Sequence, residues 1–324
     1  MKAVIINEDH SLSWSDVDQP KFNDHEVLIR VSATAINRAD LMQRKGLYPP
    51  PPGASEIMGL ECAGEVVEVG AGCTRFKAGD KVCALLAGGG YSQYAAVHEG
   101  SVLPIPDGLS DEQGAALPEV FATAWLNLFK EAGLKVGDKS IIHAGASGVG
   151  TTAIQLCKSF GAISFITVGS QDKLRACIEL GAIAGSNRHD GSFLEAAKTF
   201  VGESGVDVIL DPVGASYLPD NLSLLGLGGR LVLIGLMGGV KAELDLAQLM
   251  MKRARIIGST LRTRPVTEKA VVMAQLEEKV WPKIVNQEIK PIIEAVLPIT
   301  EVSDAHDLVA SDTTTGKVIL TVGH

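Results

Sequence analysis

Residues 141–150 read Ile141-Ile142-His143-Ala144-Gly145-Ala146-Ser147-Gly148-Val149-Gly150, and Thr151-Thr152-Ala153-Ile154-Gln155-Leu156 follows. An apolar run that stops at three closely spaced glycines and resumes as an apolar helix is a strand–turn–helix signal. Such a turn carries free backbone N–H groups to a helix N-terminus, where a pyrophosphate is stabilised. The glycines serve a tight turn, close approach of backbone to phosphate, and close packing of helix on strand. Their order is G-x-x-G-x-G rather than G-x-G-x-x-G, so this segment alone also suits a glycine turn in an unrelated α/β protein.

The flanking chain supports the nucleotide reading. From Ser140 onward, strand-like runs (Ile141–Ala144, Phe165–Val168, Val206–Asp211, Leu231–Leu236) alternate with helix-like runs (Thr151–Phe160, Asp172–Leu180, Phe193–Val201, Tyr217–Leu224). This alternation calls for a parallel sheet covered by helices. Before about residue 118 the pattern differs, with short β-rich runs at Ala3–Ile6, Val27–Ala33, Gly64–Val69, Lys81–Leu86 and Ser92–Val97. Gly, Pro and Asp separate these runs, as in a small barrel or sandwich. The last block returns to strand-like runs (Leu297–Ile299, Lys317–Val322) with helices from Thr267 and Val302. A tail of about 60 residues is small for a domain of its own. The economical arrangement has the chain leave the first domain, build the nucleotide domain and return, with the active site expected in the cleft between them.

Composition sets bounds. At 324 residues, with 46% hydrophobic and 21% charged residues, two globular domains with full cores are expected. A net charge of −9 argues against a nucleic-acid partner. No apolar run reaches the roughly 18 residues of a membrane span. Acidic residues in the first ten positions do not suit a targeting peptide, so a cytoplasmic protein is expected. Five scattered cysteines form no C-x-x-C pair, and reduced thiols are expected.

Five ordered stretches carry a resemblance that spans essentially the whole chain: residues 35–44 (AINRADLMQR), 59–64 (GLECAG), 143–150 (HAGASGVG), 233–239 (LIGLMGG) and 259–264 (STLRTR). The chain resembles the medium-chain dehydrogenase/reductase superfamily and its zinc-free quinone oxidoreductase branch, especially the vertebrate NADPH quinone oxidoreductases induced by a tumour suppressor. The resemblance implies an α/β chain with a GroES-like β-barrel catalytic domain (1–118 and 261–324) and a Rossmann doubly wound parallel sheet (119–260). Zinc-dependent relatives have Cys where this chain has Asn37, and His-Glu where it has Leu60-Glu61. Neither an amide nor an isobutyl group replaces a thiolate or imidazole on zinc, so no metal is expected. Without that Lewis acid, a reductase of activated acceptors is the expected enzyme.

An NAD site usually places a carboxylate on the ribose 2′-OH about 20 residues beyond the glycine turn. Here Gly169 and Ser170 follow the second strand, and Lys173, Ser170 and Arg188 resemble the 2′-phosphate pocket of NADPH-dependent relatives. Asp172 reads as an N-cap of the next helix. The resemblance implies a cofactor set of Thr123, Gly145, Ser147, Gly148, Val149, Gly150, Gly169, Ser170, Lys173, Arg188, Gly235, Leu236, Met237 and Leu261. Leu236 and Met237 read equally as core packing.

At the reaction end the resemblance implies Tyr48, Asn37 and Ser147. Tyr48, before Pro49-Pro50-Pro51-Pro52-Gly53, either donates a hydrogen bond to a carbonyl acceptor or acts by shape. Asn37, Asp40 and Arg44 share one helical face, with Asn37 toward a substrate carbonyl and Asp40–Arg44 an i,i+4 ion pair. His143 is expected to be buried. The implied activity is NADPH-dependent reduction of quinones, ortho-quinones in particular, with semiquinone products among relatives. Reduction of alkenals or enones is the alternative, and a non-catalytic, crystallin-like NADPH-binding protein is another. A homodimer is expected through the edge run Arg255–Ser259.

Overall fold

A computed structural model describes all residues, 1–324. They form two compact units, Met1–Ala122 with Leu261–His324, and Thr123–Thr260.

The second unit is a six-stranded sheet with all neighbours parallel, in the order Ala184–Asn187, Ile163–Val168, Lys139–Ile142, Val206–Asp211, Leu225–Leu233, Arg255–Gly258. The chain winds outward one way from Lys139–Ile142, then returns and winds the other way from Val206–Asp211. These two strands therefore flank the switch point, outside whose carboxyl ends ligands bind in doubly wound sheets. Burial on both faces gives the central strands continuous apolar runs; Ile141, Ile142, Phe165, Ile166, Val208 and Ile209 are at most 1% exposed. Each such side chain contributes about 1.5–3 kcal/mol of burial free energy. The helices Gly148–Ser159, Gln171–Leu180, Leu194–Val201 and Leu218–Leu224 fall where the sequence alternation calls for them. The strand Leu225–Leu233 starts earlier and ends earlier than its apolar run suggests, and residues 234–236 leave the sheet.

The first unit is built on a seven-stranded sheet whose centre is the ten-residue strand Glu26–Ala35. One edge of that strand pairs with Glu61–Val69. The other pairs with Tyr94–His98 over Glu26–Arg30 and with Lys317–Thr321 over Ala33–Ala35. A strand that changes partner midway curls its sheet, and close approach follows: a Cβ on Gly64 would stand 2.0 Å from the carbonyl oxygen of Arg30. The C-terminal segment thus supplies two strands, Ile293–Pro298 and Lys317–Thr321, to the sheet begun by the N-terminal one. Its Trp281 also donates to the Pro104 carbonyl at 2.7 Å and meets the Phe121 ring edge-on. The strand Leu12–Asp16, which the sequence did not signal, pairs with Lys2–Ile6 in a separate hairpin.

Candidate functional site

The glycine turn has the geometry its sequence implies. Ala144 takes a left-handed φ of +53° as the chain leaves the strand. A Cβ on Gly145 would stand 2.8 Å from Cβ of Ile166, so only glycine lets the turn pack on the neighbouring strand. Ser147 caps the helix Gly148–Ser159, its hydroxyl accepting from the N–H of Gly150 at 3.0 Å. Ser147 is exposed and Gly148 and Val149 are half-buried, so the start of the helix is open to a ligand.

Beneath the turn, a buried chain of hydrogen bonds crosses the switch point. Nδ1 of His143 pairs with the Thr167 hydroxyl (3.0 Å), and its Nε2 with Oδ1 of Asn221 (2.7 Å). Asn221 donates to Asp211 (3.0 Å), which also accepts from the N–H groups of Val213 and Gly214. Burial lowers the His143 pKa to about 4 and raises that of Asp211 to about 6. His143 is therefore neutral at pH 7, with the N–H on Nε2 toward Asn221. It is a strut between strands, buried as its position implied.

The second strand, Ile163–Val168, ends at Gly169 and Ser170. Here one expectation is corrected: the cap of the helix Gln171–Leu180 is Ser170, whose hydroxyl accepts from the Lys173 N–H at 3.2 Å, not Asp172. Asp172 lies within the first turn and pairs with Arg175. Its carboxylate thus has a local basic partner. Arg188, distant in sequence, reaches the same place: its guanidinium lies 3.4 Å from where a Gly169 Cβ would stand. Backbone joins the segments too, Arg188 N–H donating to the Val168 carbonyl at 2.9 Å. Gly169, Ser170, Lys173 and Arg188 thus share one end of the sheet, and no carboxylate is the cap there. Leu236 and Met237, which read equally as core, are 51% and 52% exposed and follow the strand Leu225–Leu233 beyond the same sheet end. Gly235 packs against Pro212, whose carbonyl would stand 2.8 Å from an added Cβ. Thr123 falls in this unit and is buried, as is Leu261 in the other.

In the first unit, Asn37, Asp40 and Glu61 belong to one buried polar network. Lys317 donates to Oδ1 of Asn37 (2.6 Å) and the Ile36 carbonyl (2.9 Å), and pairs with Oε1 of Glu61 at 2.8 Å. Asn37 Nδ2 donates to the same Glu61 oxygen (2.9 Å), while Oε2 accepts from the Glu119 N–H (2.9 Å). Both ends of the Asn37 amide are therefore engaged, with one amide hydrogen left. Asp40 accepts from the N–H groups of Asn37 and Gly59 and from the Tyr91 hydroxyl; burial raises its pKa to about 6. The expected Asp40–Arg44 ion pair is not formed: Asp40 points inward, and Arg44 donates to the His10 carbonyl instead. No three His, Cys, Asp or Glu side chains gather to hold a metal ion. Of the positions where the zinc-dependent pattern places ligands, Asn37 has its oxygen taken by the Lys317 ammonium and Leu60 offers no ligand atom, so these residues do not fit zinc. Tyr48 is half-buried, its ring against the Arg262 guanidinium; burial raises its pKa. All five cysteines are free. The Lys317 and Arg262 contacts carry no sequence signal, because their partners lie hundreds of residues away.

The fold and these motifs define a two-part dehydrogenase. The alcohol dehydrogenase GroES-like domain model matches residues 23–107, and the zinc-binding dehydrogenase model matches 148–277. A quinone oxidoreductase of Rattus norvegicus is 32% identical over 311 residues, spanning 94% of this chain and 92% of its own. The solved Escherichia coli quinone oxidoreductase in complex with NADPH is 27% identical, with a TM-score of 0.86 over 99% of this chain and 98% of that one. The CurK enoyl reductase is 26% identical, with a TM-score of 0.87 over 99% of each chain. The chain belongs to the medium-chain dehydrogenase/reductase superfamily, as an oxidoreductase with a GroES-like domain and a parallel-sheet Rossmann domain. Within that superfamily it is of the quinone oxidoreductase type. No helix is long and apolar enough to cross a membrane.

Proposed function

We propose that the chain is a cytoplasmic, NADPH-dependent quinone reductase that works without a metal. The observation that carries this reading is the end of the second strand. Ser170 caps the next helix, the Arg188 guanidinium lies beside Gly169, and Lys173 stands in the first turn of that helix, where an NAD site would have a carboxylate. That arrangement fits a 2′-phosphate, and the open helix start at Ser147–Gly150 fits the pyrophosphate. When bound, NADPH supplies a hydride from its nicotinamide. Ser147, Val149, Leu236, Met237 and Thr123, all of one unit, would wall and orient that ring. Tyr48 would contact the acceptor, with the remaining N–H of Asn37 as a further donor.

Lys173→Ala should weaken NADPH binding by about 1.5–3 kcal/mol, the value of one hydrogen bond to a charged group, and leave NADH binding unchanged. Fluorescence titration with both cofactors checks this, and equal NADPH affinity in the variant removes Lys173 from the pocket. The primary experiment follows NADPH against NADH oxidation with an ortho-quinone, then with an α,β-unsaturated aldehyde. Quinone turnover with NADPH preferred supports the reading. Turnover of the aldehyde alone favours an enone reductase, the second reading, which the likeness to the CurK enoyl reductase motivates. Bound NADPH with no turnover of either acceptor rejects both.

The same reading includes a homodimer. The strand Arg255–Gly258 is paired on one side only, and nearby Leu246, Met250 and Met251 are 68%, 70% and 74% exposed. Light scattering should give twice the 34.0 kDa chain mass. A monomeric mass across micromolar concentrations rejects the dimer.

A further inference from the structure

Arg262 is 5% exposed yet makes no ion pair with a carboxylate. Its Nε donates to the Ala87 carbonyl (2.8 Å), one terminal nitrogen to the Tyr48 carbonyl (3.2 Å), and the other to Oε1 of Gln43 (2.8 Å). The guanidinium carbon also lies 5.2 Å from the centre of the Tyr48 ring, in cation–π range. A second buried cation holds the arginine in turn, Lys269 donating to the Arg262 carbonyl at 2.8 Å. Burying a charge without a counter-charge is expensive. That expense points to a task other than neutralisation, and two of these contacts are made to Tyr48 itself, through its carbonyl and its ring.

Tyr48 begins a segment that cannot hold itself. Pro49, Pro50, Pro51 and Pro52 lack N–H donors and have fixed φ, so the loop is stiff but has few backbone bonds of its own. Its far end is tied through the same partner, because Gln43 donates from Nε2 to the Glu56 carbonyl at 3.0 Å. Arg262 thus grips Tyr48 by backbone and by ring, and reaches the loop's exit through Gln43. The Tyr48 ring meets the guanidinium, while no hydrogen bond from its hydroxyl fixes it.

We propose that Arg262 is a positioning residue that holds the Tyr48 ring for the acceptor and thereby sets the size of acceptor the enzyme takes. The proposal rests on the reading of Tyr48 as an acceptor contact. A lysine cannot replace it, since a point charge does not serve three diverging acceptors and a ring face together.

The test uses the full chain with Arg262→Lys, Arg262→Gln and the milder Gln43→Met, which removes one arm of the arginine together with the tie to the Glu56 carbonyl. KM and kcat are measured with 1,4-benzoquinone and with the bulkier 9,10-phenanthrenequinone at saturating NADPH, alongside hydrogen exchange of the Leu47 and Ala54 amides, which donate to the Met42 and Pro51 carbonyls. KM for the bulky quinone should rise about tenfold in both Arg262 variants, as misplacement of a substrate-contacting group does, with a smaller rise in Gln43→Met. KM for 1,4-benzoquinone should stay within about twofold, and exchange of the Leu47 and Ala54 amides should speed about tenfold. A merely structural role would instead shift both quinones alike. Equal shifts for the two quinones, or unchanged loop exchange, overturn the proposal. Should the wild-type chain reduce no quinone, the function reading has failed, and the exchange arm alone decides whether Arg262 holds Tyr48.

Discussion

Lys317→Met lowers the stability of the protein by about 3–5 kcal/mol, the cost of removing one partner from a buried ion pair. Lys317 and Glu61 are 4% and 0% exposed at their side chains and 2.8 Å apart. Without the ammonium, Glu61 keeps one bond from Asn37 and one from the Glu119 N–H, and its charge is buried without a counter-charge. Asn37 loses the donor to its Oδ1 at the same time. Urea denaturation and thermal melting both report this, with a Tm drop of roughly 6–20 °C for a unit of this size. The double variant Lys317→Met/Glu61→Gln should recover most of the loss, because removing both charges leaves no unpaired one. A single variant within about 1 kcal/mol of wild type would show that the pair is dispensable.

Gly150→Ala should lower NADPH affinity roughly 100-fold, as displacements of about 1 Å in a binding constellation do. A Cβ there would stand 2.4 Å from the Ala144 carbonyl oxygen, 2.5 Å from that of Gly145 and 2.6 Å from the Gly145 carbonyl carbon. All three atoms are backbone of the turn itself, so no side chain can swing aside, and the helix start must move off the strand exit. The Ser147 cap bonds the displaced N–H, so the cradle for the pyrophosphate is disturbed directly. Gly258→Ala is the control: nothing lies within 4 Å of its added Cβ, and it should bind NADPH as wild type does. Fluorescence titration of both variants decides. Wild-type affinity in Gly150→Ala would remove the turn from the cofactor site.

The two predictions draw on different kinds of information. Gly150 was legible in the sequence, because the constraint on it comes from atoms five and six residues away. The same holds for the alternation of strands and helices from Ser140 onward, which is a local period set by burial on a sheet or helix face. Short elements without such a period escaped: the strand Ala184–Asn187 reads Ala-Gly-Ser-Asn and is specified only by its pairing with Ile163–Val168. The π-type turn at Leu126–Glu131, where Trp125 stacks on Phe129 and both meet Phe160, has no sequence mark either.

At the candidate site, local chemistry nominated groups but not their partners. Ser170 and Asp172 are both good capping residues, and which one caps depends on where the strand Ile163–Val168 ends. Asp40 and Arg44 stand at ion-pair spacing, yet Asp40 turns inward to three donors from Asn37, Gly59 and Tyr91. The sequence by itself determined the family and the strand–glycine–helix turn, since each rests on residue identities at short spacing. Only the tertiary structure decided that Lys317 meets Glu61 and that Arg262 grips Tyr48. Those contacts join residues more than 200 positions apart, and long-range pairing of that kind is set by the packed fold.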